Sequence, residues 1–489
     1  MSDQTTAAAT AAAVYPGELE LFLAGAWTPA EGRKTVPVHN PADARELARL
    51  PLATDEDVDG AVAAAQAAWK GWREQLPEQR GAVLRGAAAL LRERAAEVAT
   101  LATLEQGKPR TEMLGEVELA AAILEWYAEE GRRAYGRVLT QRAPGSRISV
   151  VREPVGVVAA FAPWNFPVVN PVRKAAAALA AGCTCVIKPA EQTPGSALAV
   201  ARALADAGLP EGALSVLFGN PPQISKRLLG SPLVRAITFT GSTAVGRQLS
   251  ELASRHVQRT TMELGGHAPV VVLDDAELDV AAAHSAYAKL RNAGQICVSP
   301  TRFYVQEKAF DRFLEVFAGT VGTLPVGSGM EEGTYVGPLA HERRPAAVAS
   351  LVEDALDRGA TAVCGAKAPE REGWFYEPTI LVDVPESARI MNEEPFGPVA
   401  TVTPVADLDE ALEHANRLPY GLAAYAFSGG LANGRRLGEG LEAGIVGLNT
   451  YAVATPDAPF GGIKESGHGS EEGIEGLDGF LATKTLHEA

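Results

Sequence analysis

Between residues 155 and 276 the sequence alternates short β-type runs with helical ones, and that rhythm constrains the fold more than any other feature. The strand runs are VGVVAAFAP, CTCVIKP, LSVLFG and AITFTG. The helical runs are Val168 to Gly182, Pro194 to Gly208, Gln223 to Leu229 and Ala244 to Arg255. Parallel strands need long crossovers, and a right-handed βαβ connection is the one that packs back on the sheet. The expected result is a doubly wound parallel sheet that binds ligands outside the carboxyl ends of its strands.

The flanking sequence has a different texture. Asp55 to about Tyr135 is helix-rich, with Val83, Leu84, Ala87, Leu90 and Leu91 spaced to share one helix face. Residues 136–152 (GRVLTQRAPGSRISVVR) turn basic and β-like around Pro144-Gly145, the pattern of a protruding hairpin. From about Thr260 to Val446 an α/β pattern returns, with a long helix from Leu278 to Gln295 and another from Arg344 to Gly359. The Ala/Thr-rich start, residues 1–14, has no such period and is expected to be a disordered tail. At 489 residues, the chain is expected to hold about three domains, given roughly 150 residues for each.

Charge narrows the partners. Sixty acidic residues against 44 basic ones leave a formal charge of −16, which disfavours nucleic acid or an anionic membrane and favours a small molecule. No basic residue precedes Arg33 and no run approaches the roughly 18 apolar residues of a membrane span, so a cytoplasmic protein is expected. Four cysteines are too few to staple such a chain and are expected to be reduced. Cys183 and Cys185 form a CxC on a strand with no His or Cys cluster nearby, which reads as buried core thiols, not a metal site. No metal is expected.

Three residues carry the chemistry. Cys297, in RNAGQICVSPTR, follows a long helix within a short polar stretch of small neighbours. A thiol needs a cation, a helix end or a base to become nucleophilic near neutrality; a small buried hydrophobe is the plainer alternative. Glu263, in TMELGGHAP, ends a strand before two glycines that let a ligand or another segment come close; a solvated strand-end carboxylate is its alternative. Asn165, in FAPWNFP, lies at a strand end between two prolines, where a rigid turn aims its amide at the crevice unless it serves only the turn. Together they supply a nucleophile, a base and an oxyanion donor.

Phosphate recognition has its own candidates. FTGSTAVG sets Gly241 to Gly246 between a strand and a helix, where backbone N–H groups and the helix dipole can face a pyrophosphate. It is not a Walker A loop, because Arg247-Gln248 stands where Lys-Ser/Thr is required. IKPAE adds Lys188 and Glu191 at another strand end, a cation and a carboxylate suited to ribose hydroxyls or simply solvated.

The ordered series FAPWNFP, IKPAEQTP, FTGSTAVG, MELGG, NAGQICVSPTR, EEPFGPV and PFGGIKESGHG resembles the aldehyde dehydrogenase superfamily, over about Leu19 to Lys484. The closest resemblance in motif is to succinate-semialdehyde dehydrogenase-like members. It implies an α/β fold with a Rossmann-type NAD-binding domain (15–135 and 153–257), an α/β catalytic domain (258–446), and a bridging oligomerisation element (136–152 with 447–489). A homodimer or homotetramer would form by pairing of the C-terminal strand LATKTL across subunits.

The resemblance also implies roles. Cys297 would attack the aldehyde, with the oxyanion held by Asn165 and the Cys297 N–H. Glu263 would activate water to hydrolyse the thioester, which sets the chain apart from CoA-acylating relatives. Lys174 and Glu471 match a proton path behind that base, or form a structural ion pair. Ala162, Pro163, Trp164, Lys188, Glu191, Gly241, Ser242, Gly246, Leu264, Glu394 and Phe396 would bind the cofactor. Glu191 favours NAD through the ribose hydroxyls, while the nearby Lys188 leaves NADP open.

Arg173 and Arg291 match arginines that semialdehyde dehydrogenases place around the substrate carboxylate, a use suited to the guanidinium fork. Thr455, in YAVATPDAPF, is the candidate hydroxyl of that clamp. The motifs depart from the family's pattern at His267, where lysine is frequent, and at Ser470, where arginine is frequent. The expectation is NAD-dependent oxidation of a carboxylate-bearing semialdehyde such as succinic semialdehyde, with a broad aliphatic or aromatic aldehyde dehydrogenase as the alternative. A thiol esterase that shares Cys297, or a binding protein on the same fold, is the reading from outside that class.

Overall fold

The computed structural model describes residue 15 and residues 17–489. The tail expected at residues 1–14 lies outside the described residues. The alternating segment forms an eight-stranded sheet in the order Ala26–Thr28, Leu21–Leu23, Leu214–Val216, Thr184–Pro189, Val157–Ala162, Val234–Thr240, Arg259–Glu263, Gly467–His468. Its five central strands run parallel and only the edges are antiparallel. Val157–Ala162 and Thr184–Pro189 are buried along their whole length, as strands covered by helices on both faces must be. The helix Val169–Ala181, buried at every position, is largely alanine, and the small side chains let it lie close under neighbouring elements.

A second sheet has the order Thr361–Cys364, Thr379–Val382, Val399–Val405, Pro300–Gln306, Ala268–Val272, Ala423–Phe427, Ile445–Leu448, parallel except for its first pair. The hairpin forms from Arg137–Leu139 and Arg147–Pro154, and Leu481–Glu488 adds to it antiparallel within the same chain. The first sheet runs past residue 257 to include Arg259–Glu263, and Ile445–Leu448 of the second sheet straddles residue 446. Glu263 and the segment that leads through Cys297 to Pro300–Gln306 therefore belong to different sheets.

Two expected elements differ from the structure. The strand LATKTL, expected to pair across subunits, lies in Leu481–Glu488 and takes the edge of Arg147–Pro154 in its own chain, where eight successive residues find partners from Leu481 opposite Pro154 to Glu488 opposite Arg147. The helix starting at Leu278 ends at Leu290, and Arg291–Gly294 forms a kinked turn with Asn292 at φ +47° and Ala293 at φ +51°. Tertiary hydrogen bonds override helix propensity here: Asn292 Nδ2 donates to the carbonyls of Asn165 (2.9 Å) and Gln295 (3.2 Å), and Gln106 Nε2 donates to Asn292 Oδ1 (2.8 Å). Gly294 lets the chain pass Gly397, whose carbonyl oxygen would lie 2.1 Å from an added Cβ.

Candidate active site

Four parallel strands of the first sheet end on one side, and each delivers expected residues there. Val157–Ala162 leads through Pro163 and Trp164 to Asn165; Thr184–Pro189 carries Lys188 and leads to Glu191. Val234–Thr240 leads to Gly241 and Ser242, and Arg259–Glu263 ends on the base and leads to Leu264. This is the carboxyl-end crevice of an open α/β sheet. Cys297 approaches from the other unit, and Gly266 makes room for it: a Cβ there would lie 2.9 Å from the Cys297 carbonyl oxygen. The glycine pair after Glu263 thus serves another chain segment.

A cavity of about 520 Å³ is lined by Asn165, Arg173, Arg291 and Cys297 together. Aromatic rings of Phe166, Tyr287, Tyr425, Tyr451 and Phe460 supply much of the wall. Asn165 Nδ2 donates to the Gln295 carbonyl at 3.1 Å and its Oδ1 accepts from Asn170 Nδ2 at 3.3 Å, so the amide is fixed beside the Cys297 segment with one N–H to spare. Burial raises the Cys297 thiol far above its usual range, with the Glu263 charge adding to it and Arg173 opposing it.

Glu263 is buried, and its Oε1 makes no hydrogen bond. Burial, then the like charge of Glu471, holds its carboxyl well above the usual carboxylate range, against the pull of Arg173 and Lys174. Lys174 and Glu471 do meet, in a buried ion pair, and Lys174 Nζ also donates to Thr240 Oγ1 at 2.7 Å. Arg173, the residue before, pairs through Nε with Glu472, the residue after Glu471, at 2.8 Å. Two adjacent cations thus face two adjacent carboxylates.

The expected substrate residues divide. Arg173 is buried within the cavity wall, and Arg291 stands at its edge, half exposed and 4.0 Å from Glu112. Thr455 does not line the cavity: it is exposed, and the lining from that loop is Asn449 to Ala454. The loop turns outward at the Ala458 N–H to Thr455 carbonyl bond (3.2 Å), so the hydroxyls it presents are those of Thr450 and Tyr451.

On the other side the residues fit a dinucleotide. Lys188 Nζ lies 2.5 Å from Glu191 Oε1, which also accepts from the Gly219 N–H at 3.1 Å. Ser242 stands before the helix Thr243–Ser254 without capping it through its side chain, which leaves first-turn N–H groups to an anion. Gly246 packs so tightly on Leu264 that an added Cβ would sit 2.3 Å from Leu264 Cδ2. Trp164 meets Phe396 edge-on at 5.5 Å, and Arg344 Nη2 donates to the carbonyls of Pro395 (2.7 Å) and Phe396 (2.8 Å). Burial pushes the Glu394 carboxyl up to about 8, and Gly265 leaves it room, with an added Cβ 2.9 Å from Glu394 Oε2. A hydrogen-bond partner such as a ribose hydroxyl would suit such a group.

Some functional candidates are absent from the motifs. Lys108 and Glu116 form a buried ion pair at 2.6 Å; Lys108 Nζ also donates to the Asn165 carbonyl (3.1 Å) and sits 3.8 Å over the Phe166 ring. Glu116 Oε1 accepts from the N–H groups of Val168 (2.9 Å) and Val169 (3.1 Å), so the pair anchors the loop that carries Asn165. Of the departures from the family's pattern, His267 is buried, with Nδ1 2.7 Å from Thr301 Oγ1 and Nε2 2.8 Å from the Ile390 carbonyl, a structural setting. Ser470 borders a small hollow with Tyr127, Lys174 and Glu471. Cys183 and Cys185 are fully buried.

Comparison with known proteins agrees with this arrangement. Residues 27–486 match the aldehyde dehydrogenase family model. The chain is 46% identical to 4-(hydroxymethyl)benzenesulfonate dehydrogenase TsaD1 of Comamonas testosteroni, over 96% of this chain and 98% of that one. It is 43% identical to the NADP(+) succinate-semialdehyde dehydrogenase GabD of Escherichia coli, over 96% and 97%. Among solved structures, a succinate-semialdehyde dehydrogenase from Burkholderia pseudomallei superposes with a TM-score of 0.95 at 42% identity, covering 98% of both chains. A Staphylococcus aureus betaine aldehyde dehydrogenase in complex with NAD+ gives 0.95 at 30%, over 98% and 97%. The chain belongs to the aldehyde dehydrogenase family, and it is an oxidoreductase acting on an aldehyde. Among the described residues no helix is long and apolar enough to cross a membrane.

Proposed function

We propose that this enzyme oxidises an aldehyde bearing a terminal anionic group, such as succinic semialdehyde, to the carboxylic acid with NAD or NADP. The observation that carries the reading is the presence of Arg173 in the wall of the cavity that holds Cys297, with Arg291 at its edge. Arg173 is already paired with Glu472 through Nε, and its outer N–H groups remain as a fork suited to an anion. Relatives named for succinic and glutaric semialdehydes and for a benzenesulfonate support an anionic substrate.

Cys297 attacks the carbonyl carbon, and the oxyanion falls to the free N–H of Asn165 and the Cys297 backbone N–H. The bound nicotinamide cofactor supplies the hydride acceptor. Lys188, Glu191, Gly241, Ser242 and Gly246 hold its adenosine ribose and pyrophosphate, with Ala162, Pro163 and Trp164 alongside. Glu394 and Phe396 hold the second ribose, and Leu264 lies beside the ring. Glu263 takes a proton from the water that hydrolyses the thioester, and Lys174 with Glu471 passes it on. The cofactor unit comprises residues 15–135 and 153–257 with the strand Arg259–Glu263 joined to it; residues 258–446 otherwise form the catalytic unit.

Residues 136–152 with 447–489 serve subunit pairing in a homodimer or homotetramer, supported by Val138, Ile474 and Leu486, large apolar side chains left exposed there. A cytoplasmic location accords with this chemistry. The aromatic wall favours a second reading, a broad aliphatic or aromatic aldehyde dehydrogenase.

The test follows reduced-nicotinamide absorbance with aldehydes that carry or lack a terminal carboxylate, using wild type and Cys297→Ala. Reduction that is lost in Cys297→Ala and has a higher kcat/KM for succinic semialdehyde than for butanal is expected. Equal values would leave the broad reading in its place.

A further inference from the structure

Glu472 occupies a backbone conformation that disfavours it. Its φ is +59°, in the left-handed region where glycine is at ease and a glutamate is strained, and it is followed by Gly473 at φ +58°. Its side chain is also fully buried, and its Oε2 has no hydrogen-bond partner. Both features cost stability, so the carboxylate is held there against the local preference of the chain. What it meets is Arg173 Nε, at 2.8 Å.

The choice of nitrogen matters. A guanidinium has one inner N–H, on Nε, and two outer nitrogens whose paired N–H groups match a carboxylate or sulfonate side by side. With Nε given to Glu472, neither outer nitrogen of Arg173 makes a protein hydrogen bond among the described residues. The guanidinium carbon lies 4.5 Å over the Phe460 ring, which supports the plane from a second direction, and both residues line the cavity. Lys174, one residue on, takes Glu471, so the two carboxylates do not compete for one cation.

We propose that Glu472 is a specificity-positioning residue: it anchors Arg173 through Nε so that the outer edge of the guanidinium is presented to the anionic end of the substrate. This rests on the reading that the substrate carries such a group. Glu472 touches neither aldehyde nor cofactor and acts only through Arg173.

The test compares succinic semialdehyde with butanal in wild type, Glu472→Gly and Glu472→Gln. Glycine removes the anchor and relieves the backbone, so the fold is spared part of the loss. Expected for Glu472→Gly is a rise in KM for succinic semialdehyde of roughly tenfold or more, the scale of one hydrogen bond to a charged group. Its kcat with that substrate and its kcat/KM with butanal are expected to stay close to wild type. Glu472→Gln keeps an acceptor for Nε and is expected to retain most of the preference.

Equal losses on both aldehydes in Glu472→Gly would reduce Glu472 to a structural residue and overturn the inference. A wild-type preference for the anionic aldehyde that survives Glu472→Gly overturns it alone. A wild type without that preference overturns the semialdehyde reading and this inference together.

Discussion

The side-chain amide of Asn165 donates to the carbonyl of Gln295 at 3.1 Å, two residues before Cys297, so the proposed oxyanion donor and the loop of the proposed nucleophile hold each other in place. Asn165→Ala removes both the donor and the tie. Loss of one oxyanion donor costs about 10²–10³-fold in kcat, and a fall of that size is expected in the steady-state oxidation rate. Binding of the cofactor, followed by fluorescence titration, should change little, because Asn165 faces the cavity that holds Cys297.

Asn165, Glu263 and Cys297 stand out in the sequence as candidates because each lies in a short motif at the end of a regular element, where local pattern and position agree, and the structure brings Asn165 and Cys297 to one cavity. The doubly wound sheet was legible for the same reason. Partners far apart in the chain were not. Nothing near Arg173 announces that its Nε belongs to Glu472, 299 residues away. The helix-like run through Asn292 gives no sign of the bonds to Asn165 and Gln106 that turn it out of the helix. Thr455 failed because the register of an irregular loop depends on its closing hydrogen bonds, which residue type alone does not specify.

Glu263 sets a pH dependence with a definite sign. Its carboxyl is raised well above the usual carboxylate range, by burial first and by Glu471 second. Below the raised value it carries its proton and cannot accept another from water; above it the carboxylate is available. Turnover is therefore expected to rise with pH along a limb displaced upward from ordinary carboxylate titration. Glu471→Gln removes a like charge and should move the limb to lower pH. Glu263→Gln should abolish the limb while leaving a normal burst of cofactor reduction followed by slow turnover, a distinction that stopped-flow absorbance across pH makes directly.

In the proposed cofactor site, Glu191 biases the choice between NAD and NADP. It stands at the end of the strand Thr184–Pro189, with its Oε1 held by Lys188 Nζ at 2.5 Å and by the Gly219 N–H at 3.1 Å. A fixed negative charge there accepts from ribose hydroxyls and repels a 2′-phosphate, while Lys188 beside it softens the repulsion. Glu191→Gln is expected to shift the NADP-to-NAD ratio of kcat/KM upward by roughly tenfold, the scale of one charge-assisted contact. Lys188→Met should shift it the other way. Initial rates with both cofactors at a fixed aldehyde concentration give both ratios.

Lys108 and Glu116 separate stability from positioning. Their side chains are each 1% exposed and 2.6 Å apart, and together they hold the Asn165 carbonyl and the first N–H groups at the helix Val169–Ala181. Removing one partner leaves a buried charge unpaired, so Lys108→Met or Glu116→Leu alone should each cost about 3–5 kcal/mol. The double variant removes the unpaired buried charge and should recover part of that stability, the rest being lost because the Val168 and Val169 N–H groups no longer have their acceptor. Activity should not recover with it. Without the Lys108 bond the Asn165 carbonyl keeps only the Asn292 Nδ2 bond, so the loop is held less firmly against Cys297, and a misplacement of about 1 Å costs on the order of 100-fold in rate. Unfolding midpoints that rank the double variant above either single one, with kcat still depressed, are the expected outcome. Recovery of both would make the pair a packing element alone.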